Sequence, residues 1–184
     1  MKKTIIALLF FVLSTESAFS LIKVDITRGN LNPLPLAVSP LSIDEKSKKS
    51  FEKILNKQNI GDEISLIVEN NLRTSGLFNP LNKDAFLQAP DIANLKPRFE
   101  DWNLIKAQAL ITGKVSFIEE KMRVEFRLWD ILAGKEMMAL AFTTVPNNWR
   151  RVGHIITDKV YERLTGEKAV SYTHLRAHET SLHL

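Results

Sequence analysis

Cysteine is absent from the 184 residues. That excludes a disulfide, a thiolate nucleophile, a cysteine zinc site and a lipidated cysteine anchor. Histidine is nearly as scarce, and between residues 21 and 168 it occurs once, as His154. A catalytic histidine needs an orienting carboxylate and a nucleophile or substrate. Asp158, one helical turn on, could orient it; a histidine on a helix surface is the plainer reading. The seven glycines are scattered, so no phosphate-cradling loop is present. Neither G-x-S-x-G nor H-E-x-x-H occurs before residue 169. Asp62, Glu63 and Asp158 are carboxylates without a surrounding motif, so no enzyme activity, cofactor or metal site is expected. Charge of one sign is not in large excess, at +4 overall, which does not point to nucleic acid. Aromatic residues make up 8%. Trp102, Trp129 and Trp149 are too far apart in the chain to suggest a base-stacking platform. Trp129 alone, on the polar side of its strand, is a candidate; covering a helix–sheet edge is its alternative role.

The termini read differently from the rest. Lys2 and Lys3 precede an apolar run from Ile5 to Leu13, too short to span a bilayer, and Ala18-Phe19-Ser20 places small residues where signal peptidase reads them. Residues 1–20 are therefore expected to be a cleaved secretory signal rather than an uncleaved anchor. The mature chain would begin at Leu21, outside the cytoplasm and without a membrane span. At the other end, residues 169–184 resemble a translated sequencing-library adapter. Their histidines His174, His178 and His183 then carry no metal site, and Glu179 is wrongly placed for a metalloprotease helix.

Between these ends, 45% apolar and 25% charged residues overall suit one globular domain. Ile22-Lys23-Val24-Asp25-Ile26-Thr27 alternates as a strand does. Leu34 to Ser39 is a second short strand, limited by Pro40. Ser42 and Glu45 have capping-box spacing ahead of a helix over 45–58. That helix carries Lys46, Lys48, Lys49, Lys53 and Lys57. A basic docking face and an ordinary solvated face are both open readings of those lysines. Ile60, Ile64, Ile67, Val68 and Leu72 share one helical face, with Asn59 as cap and Gly76 as stop. Residues 78–81 read as an extended exit in which Pro80 cannot continue a ladder. Residues 84–99 look like loop, and a helical turn surrounds Trp102 and Ile105. Three strands follow over 109–118, about 122–128 and 136–145, turning at Ala133-Gly134. A closing helix holds Trp149, Val152, Ile156, Val160 and Leu164 near one face and stops at Gly166. The expected fold is α/β: a mixed sheet with helices on one face.

The mature start carries the binding hypothesis. A terminal strand with no chain ahead of it detaches cheaply and can pair with another sheet. Main-chain groups of Leu21, Ile22, Lys23, Val24, Asp25, Ile26 and Thr27 would supply affinity, and Ile22, Val24 and Ile26 would supply anchors. An ordinary edge strand of its own domain is the alternative.

Several segments together resemble the TolB family. They are Ile22-Lys23-Val24-Asp25-Ile26-Thr27-Arg28-Gly29, the run Leu72-Arg73-Thr74-Ser75-Gly76-Leu77-Phe78-Asn79-Pro80-Leu81, and Leu110-Ile111-Thr112-Gly113 after Trp102 and Ala107. Trp149-Arg150-Arg151-Val152-Gly153-His154 and Val160 through Leu164-Thr165-Gly166-Glu167-Lys168 complete the likeness. The resemblance covers residues 21–168 and implies the amino-terminal α/β domain of a periplasmic Tol–Pal protein. It implies a following β-propeller that binds Pal, here replaced by the adapter-like tail. It also implies that Leu21–Thr27 binds the C-terminal domain of TolA by strand addition, in a system serving outer-membrane integrity and envelope constriction at cell division. The family's amino-terminal fold is similar to the anticodon-binding domain of some tRNA synthetases, so an RNA- or ligand-binding module is the alternative function.

Overall fold

The computed structural model describes residue 22 and residues 32–167. An interior strand of its sheet is the apolar run Leu34–Val38, β1. Leu36, Ala37 and Val38 are all buried although they point to opposite sides, as a parallel strand covered on both faces requires. Ser42–Ile43 forms a two-residue strand, β2, and helix α1 follows over Glu45–Leu55. The expected capping box gives way here. Ser42 belongs to β2, where its hydroxyl donates to the Gly113 carbonyl at 3.2 Å. Asp44 is the cap instead, accepting the Ser47 N–H at 2.9 Å and the Ser47 hydroxyl at 3.0 Å. A strand pairing unseen in so short a segment claims Ser42 first.

Helix α2, Ile60–Thr74, buries Ile60, Ile64, Val68 and Leu72 on the expected face. Each such side chain contributes about 1.5–3 kcal/mol when fully buried. Asn59 occupies the cap position but makes no side-chain cap bond. Gly76, at φ 73°, supplies the left-handed residue that turns the chain out of the helix. Phe78–Pro80 is then a strand, β3, where only an extended exit was expected. It runs parallel to β1 at the end of the sheet. Pro80 is tolerated there because the edge asks no donor of it, and the Leu81 N–H bonds the Leu36 carbonyl at 2.9 Å instead.

Residues 84–99 are loop only in part. Pro90–Leu95 forms α3 and Phe99–Leu104 forms α4. Gln88, 5% exposed, ties the connection down: its amide donates to the Arg98 carbonyl and accepts the Arg98 N–H. Strands β4 (Ala109–Ile118), β5 (Lys121–Asp130) and β6 (Lys135–Thr144) form an antiparallel meander, and α5 (Trp149–Thr165) closes the domain. The sheet order is β3-β1-β4-β5-β6, with β2 also paired to β4. Pairings of β1 with β3, of β1 with β4 and of β2 with β4 are parallel, so the sheet is mixed.

The long helices α2 and α5 cover one face, over Leu36, Val38, Ile111, Val124, Phe126 and Leu128. Gly153 makes this packing possible: a Cβ there would meet Ile67 at 2.9 Å. The short helices α3 and α4 cover part of the other face, over Ala37, Leu110 and Trp129. β6 is the last strand of the sheet, and among the described residues no strand pairs with its outer edge. That edge runs for ten residues, uncharged from Met137 to Thr144.

Candidate partner-binding end of the domain

The pairing registers bring Leu36, Ala109, Asp130 and Lys135 into one row across β1, β4, β5 and β6. This row marks the end of the sheet where the leading part of the chain meets the domain. The Gln108 N–H bonds the Pro35 carbonyl, and the Ile131 N–H bonds the Gln108 carbonyl, each at 2.9 Å, so the strand ends are laced together. The last turn of α5 reaches the same end, where Arg163 Nε donates to the Met137 carbonyl at 3.2 Å. The start of β1 and the finish of α5 thus lie at one end of the fold.

Asp130 occupies that row and is fully buried. One carboxylate oxygen accepts the Ala133 N–H at 2.8 Å and closes the turn into β6. The other accepts the Ile22 N–H at 3.2 Å, joining residues 108 apart in sequence. The Ile22 side chain packs, partly buried, against the main core. Of the residues proposed from sequence to bind a partner, Ile22 is therefore placed. Leu21, Lys23, Val24, Asp25, Ile26 and Thr27 lie outside the described residues. Asp130 went unnoticed in sequence: an aspartate ahead of Ala133-Gly134 signals a turn, but nothing local signals the distant partner.

The other candidates are structural or separate. His154 Nδ1 pairs with the Asn71 amide at 2.9 Å, and Asn71 also donates to the Thr157 hydroxyl at 3.3 Å. These contacts pin α5 to α2. Burial raises the Asp158 carboxyl above its usual range and Glu162 raises it further, while His154 and Lys159 pull the other way. Asp62 is exposed, and Glu63 pairs with Lys57. Among the described residues, no group of three or more His, Asp or Glu side chains could hold a metal ion. Trp129 is buried, and its indole N–H donates to the Thr112 hydroxyl at 2.9 Å. It packs edge-on to Phe99 and presents no stacking surface. In the lysine-rich helix, Lys48 pairs with Glu45, and Lys57 lies 5.2 Å over the Trp149 ring. Lys46, Lys49 and Lys53 are exposed. Among the described residues, no helix is long and apolar enough to cross a membrane.

Comparison with known proteins bears on this arrangement. The family model for the TolB amino-terminal domain matches residues 22–137. The Tol-Pal system protein TolB of Pelagibacter ubique (strain HTCC1062) is 78% identical over 160 residues, which is 87% of this chain and 36% of that protein. The chain thus spans little more than a third of this curated relative. The crystal structure of TolB from Acinetobacter baumannii shares the fold at a TM-score of 0.58 and 19% identity, over 80% of this chain and 32% of that one. A family match over more than half of the chain, joined to identity at that level, places the chain in the TolB family, whose amino-terminal domain it carries.

Proposed function

We propose that the chain serves the Tol–Pal system as a periplasmic binding component, delivered by cleavage after Ser20, and that its leading strand Leu21–Thr27 is the ligand. The strand would add to the sheet of TolA's C-terminal domain, with main-chain bonds giving affinity and Ile22, Val24 and Ile26 giving register. Pal would bind a β-propeller domain that follows residue 168 in the longer protein and that residues 169–184 replace. The coupled outcome is outer-membrane integrity and envelope constriction during division.

The observation that carries this reading is how Ile22 is held. Its N–H is bound by a single side-chain carboxylate across the end of the sheet. A strand at the start of a mature chain separates at lower cost than an interior one, and its donors and acceptors then become available to another sheet. The family match also begins at Ile22, so the leading segment belongs to the domain that the family shares.

The test is capture of the purified chain by TolA's C-terminal domain, with and without residues Leu21–Thr27. Binding is expected to disappear with the deletion while the circular dichroism spectrum is kept. Undiminished capture of the shortened chain refutes the assignment.

A further inference from the structure

Strand β6 and helix α5 run side by side in opposite directions. Arg163, in the last turn of α5, donates to the Met137 carbonyl at 3.2 Å. Arg151, in the first turn, lines a groove with Phe142, Thr144, Asn148, Val152 and Ile155. The helix from Arg151 to Arg163 advances about 18 Å, and the strand from Met137 to Phe142 advances about 17 Å. Arg151, Ile155, Lys159 and Arg163 recur at four-residue spacing, so they form one ridge along β6. Half-buried Ile155 sits in that ridge with a cation on either side. Lys159 pairs with Glu162 at 2.9 Å, a surface contact of a kind that exchanges readily. Below the ridge the strand offers exposed Leu140 and half-buried Phe142. Sheet edges are commonly blunted by charge on the strand itself. Here Met137 to Thr144 carry none, and the cations stand on the neighbouring helix, where they leave the strand open to pairing.

We propose that the outer edge of β6 receives an extended acidic segment of another protein as a further strand of the sheet. Alternate side chains of that segment, in the order acid, apolar, acid, face Arg151, Ile155 and Lys159. The spacings agree: two strand residues advance about 6.8 Å and four helix residues about 6 Å. Main-chain bonds to β6 supply affinity, and the groove beside α5 supplies the choice of sequence. Arg163 already holds the Met137 carbonyl, so the receiving stretch is Met138–Thr144. On its other face the added strand lies beside Ala139, Ala141 and Thr143, which are exposed and small. A second copy fits less well, because the uncharged stretch of its own β6 leaves the cations of the ridge unanswered. This is independent of the leading strand: there the chain gives a strand, and here it takes one.

The experiment titrates the full purified chain with the labelled peptide Thr-Thr-Glu-Thr-Val-Thr-Glu-Thr-Thr, and with the same peptide carrying lysine for both glutamates. Fluorescence polarisation gives the affinities, and amide exchange followed by NMR gives the place. The glutamate peptide is expected to bind about tenfold tighter, the scale of two exposed ion pairs. It slows exchange within Met138–Thr144 and leaves Phe78 and Asn79, on the opposite edge strand, unchanged. Arg151→Ser combined with Lys159→Ser, both at the surface, removes the difference between the two peptides. Methylating alternate backbone nitrogens of the glutamate peptide abolishes binding in one of the two possible phases. Equal affinity for the two peptides overturns the proposal, as does no binding at millimolar peptide, protection away from β6, or full binding in both methylated phases. Protection of β6 that needs no peptide and grows with protein concentration assigns the edge to a second copy and overturns it too.

Discussion

The contact between α2 and α5 offers the sharpest test of the packing. Gly153→Ala adds a Cβ that would meet Ile67 Cγ2 at 2.9 Å, Ile67 Cβ at 3.0 Å and the Ile64 carbonyl at 3.5 Å. The first two distances lie inside normal contact, and a β-branched side chain in a helix has little rotamer freedom with which to yield. Overpacking of this kind costs about 1–3 kcal/mol. Replacing a mid-helix glycine by alanine returns about 1 kcal/mol through helix propensity. The expected result is a net loss of about 1 kcal/mol, read as a lower urea midpoint at unchanged slope. In an Ile67→Ala background Cγ2 is gone while the Cβ at 3.0 Å remains, so the same Gly153→Ala change should come close to neutral, the residual crowding offsetting a gain of about 1 kcal/mol from helix propensity. The resulting coupling of roughly 1 kcal/mol between the two sites is the signature of direct contact. A gain in stability from Gly153→Ala in the parent chain would refute the close approach of the two helices.

Two further outcomes follow from the geometry. Asp44→Ala removes the acceptor of the Ser47 N–H and hydroxyl, and should cost about 1 kcal/mol at neutral pH in urea unfolding. The backbone N–H of Ser47 is the main cause holding the Asp44 carboxyl below its ordinary value. The carboxylate's contribution is therefore complete above about pH 4 and fades as pH falls through the lowered value, and Asp44→Asn should abolish this acid dependence. Trp129→Phe leaves the Thr112 hydroxyl without its indole donor and opens space in the second cluster. It should cost about 1–3 kcal/mol in thermal or urea unfolding, and a loss under 0.5 kcal/mol would count against the buried placement.

What the sequence disclosed was whatever recurs with a period. The faces of α2 and α5, the alternation in β5 and the turn at Ala133-Gly134 all appear where their apolar spacing puts them. Left-handed glycines at Gly76 and Gly166 mark both helix ends as expected. Elements shorter than two periods escaped. Ser42–Ile43 is too brief to alternate, and so a cap was assigned to Ser42 in place of Asp44. Helix α3 has six residues in a stretch that reads as loop, whereas α4 appears at the helical turn expected about Trp102; the link between them is held by Gln88, whose partners Arg98 and Asp101 are legible only in three dimensions. Pro80 was judged by its missing donor, which an edge position excuses. At the end of the sheet that meets Ile22, alternation named that residue, but its acceptor Asp130 sits 108 residues away and carries no local signal of that role.

The outer margin of β6 has a practical consequence. Among the described residues no strand covers its uncharged stretch from Met137 to Thr144, where Arg163 holds the Met137 carbonyl, and backbone groups left unpaired there invite other chains to stack against them. Concentrated solutions of this chain are a setting for such stacking, with filaments or precipitate as its end state. A single lysine introduced at the exposed Ala141 would place charge in the middle of that margin and keep neighbouring molecules apart.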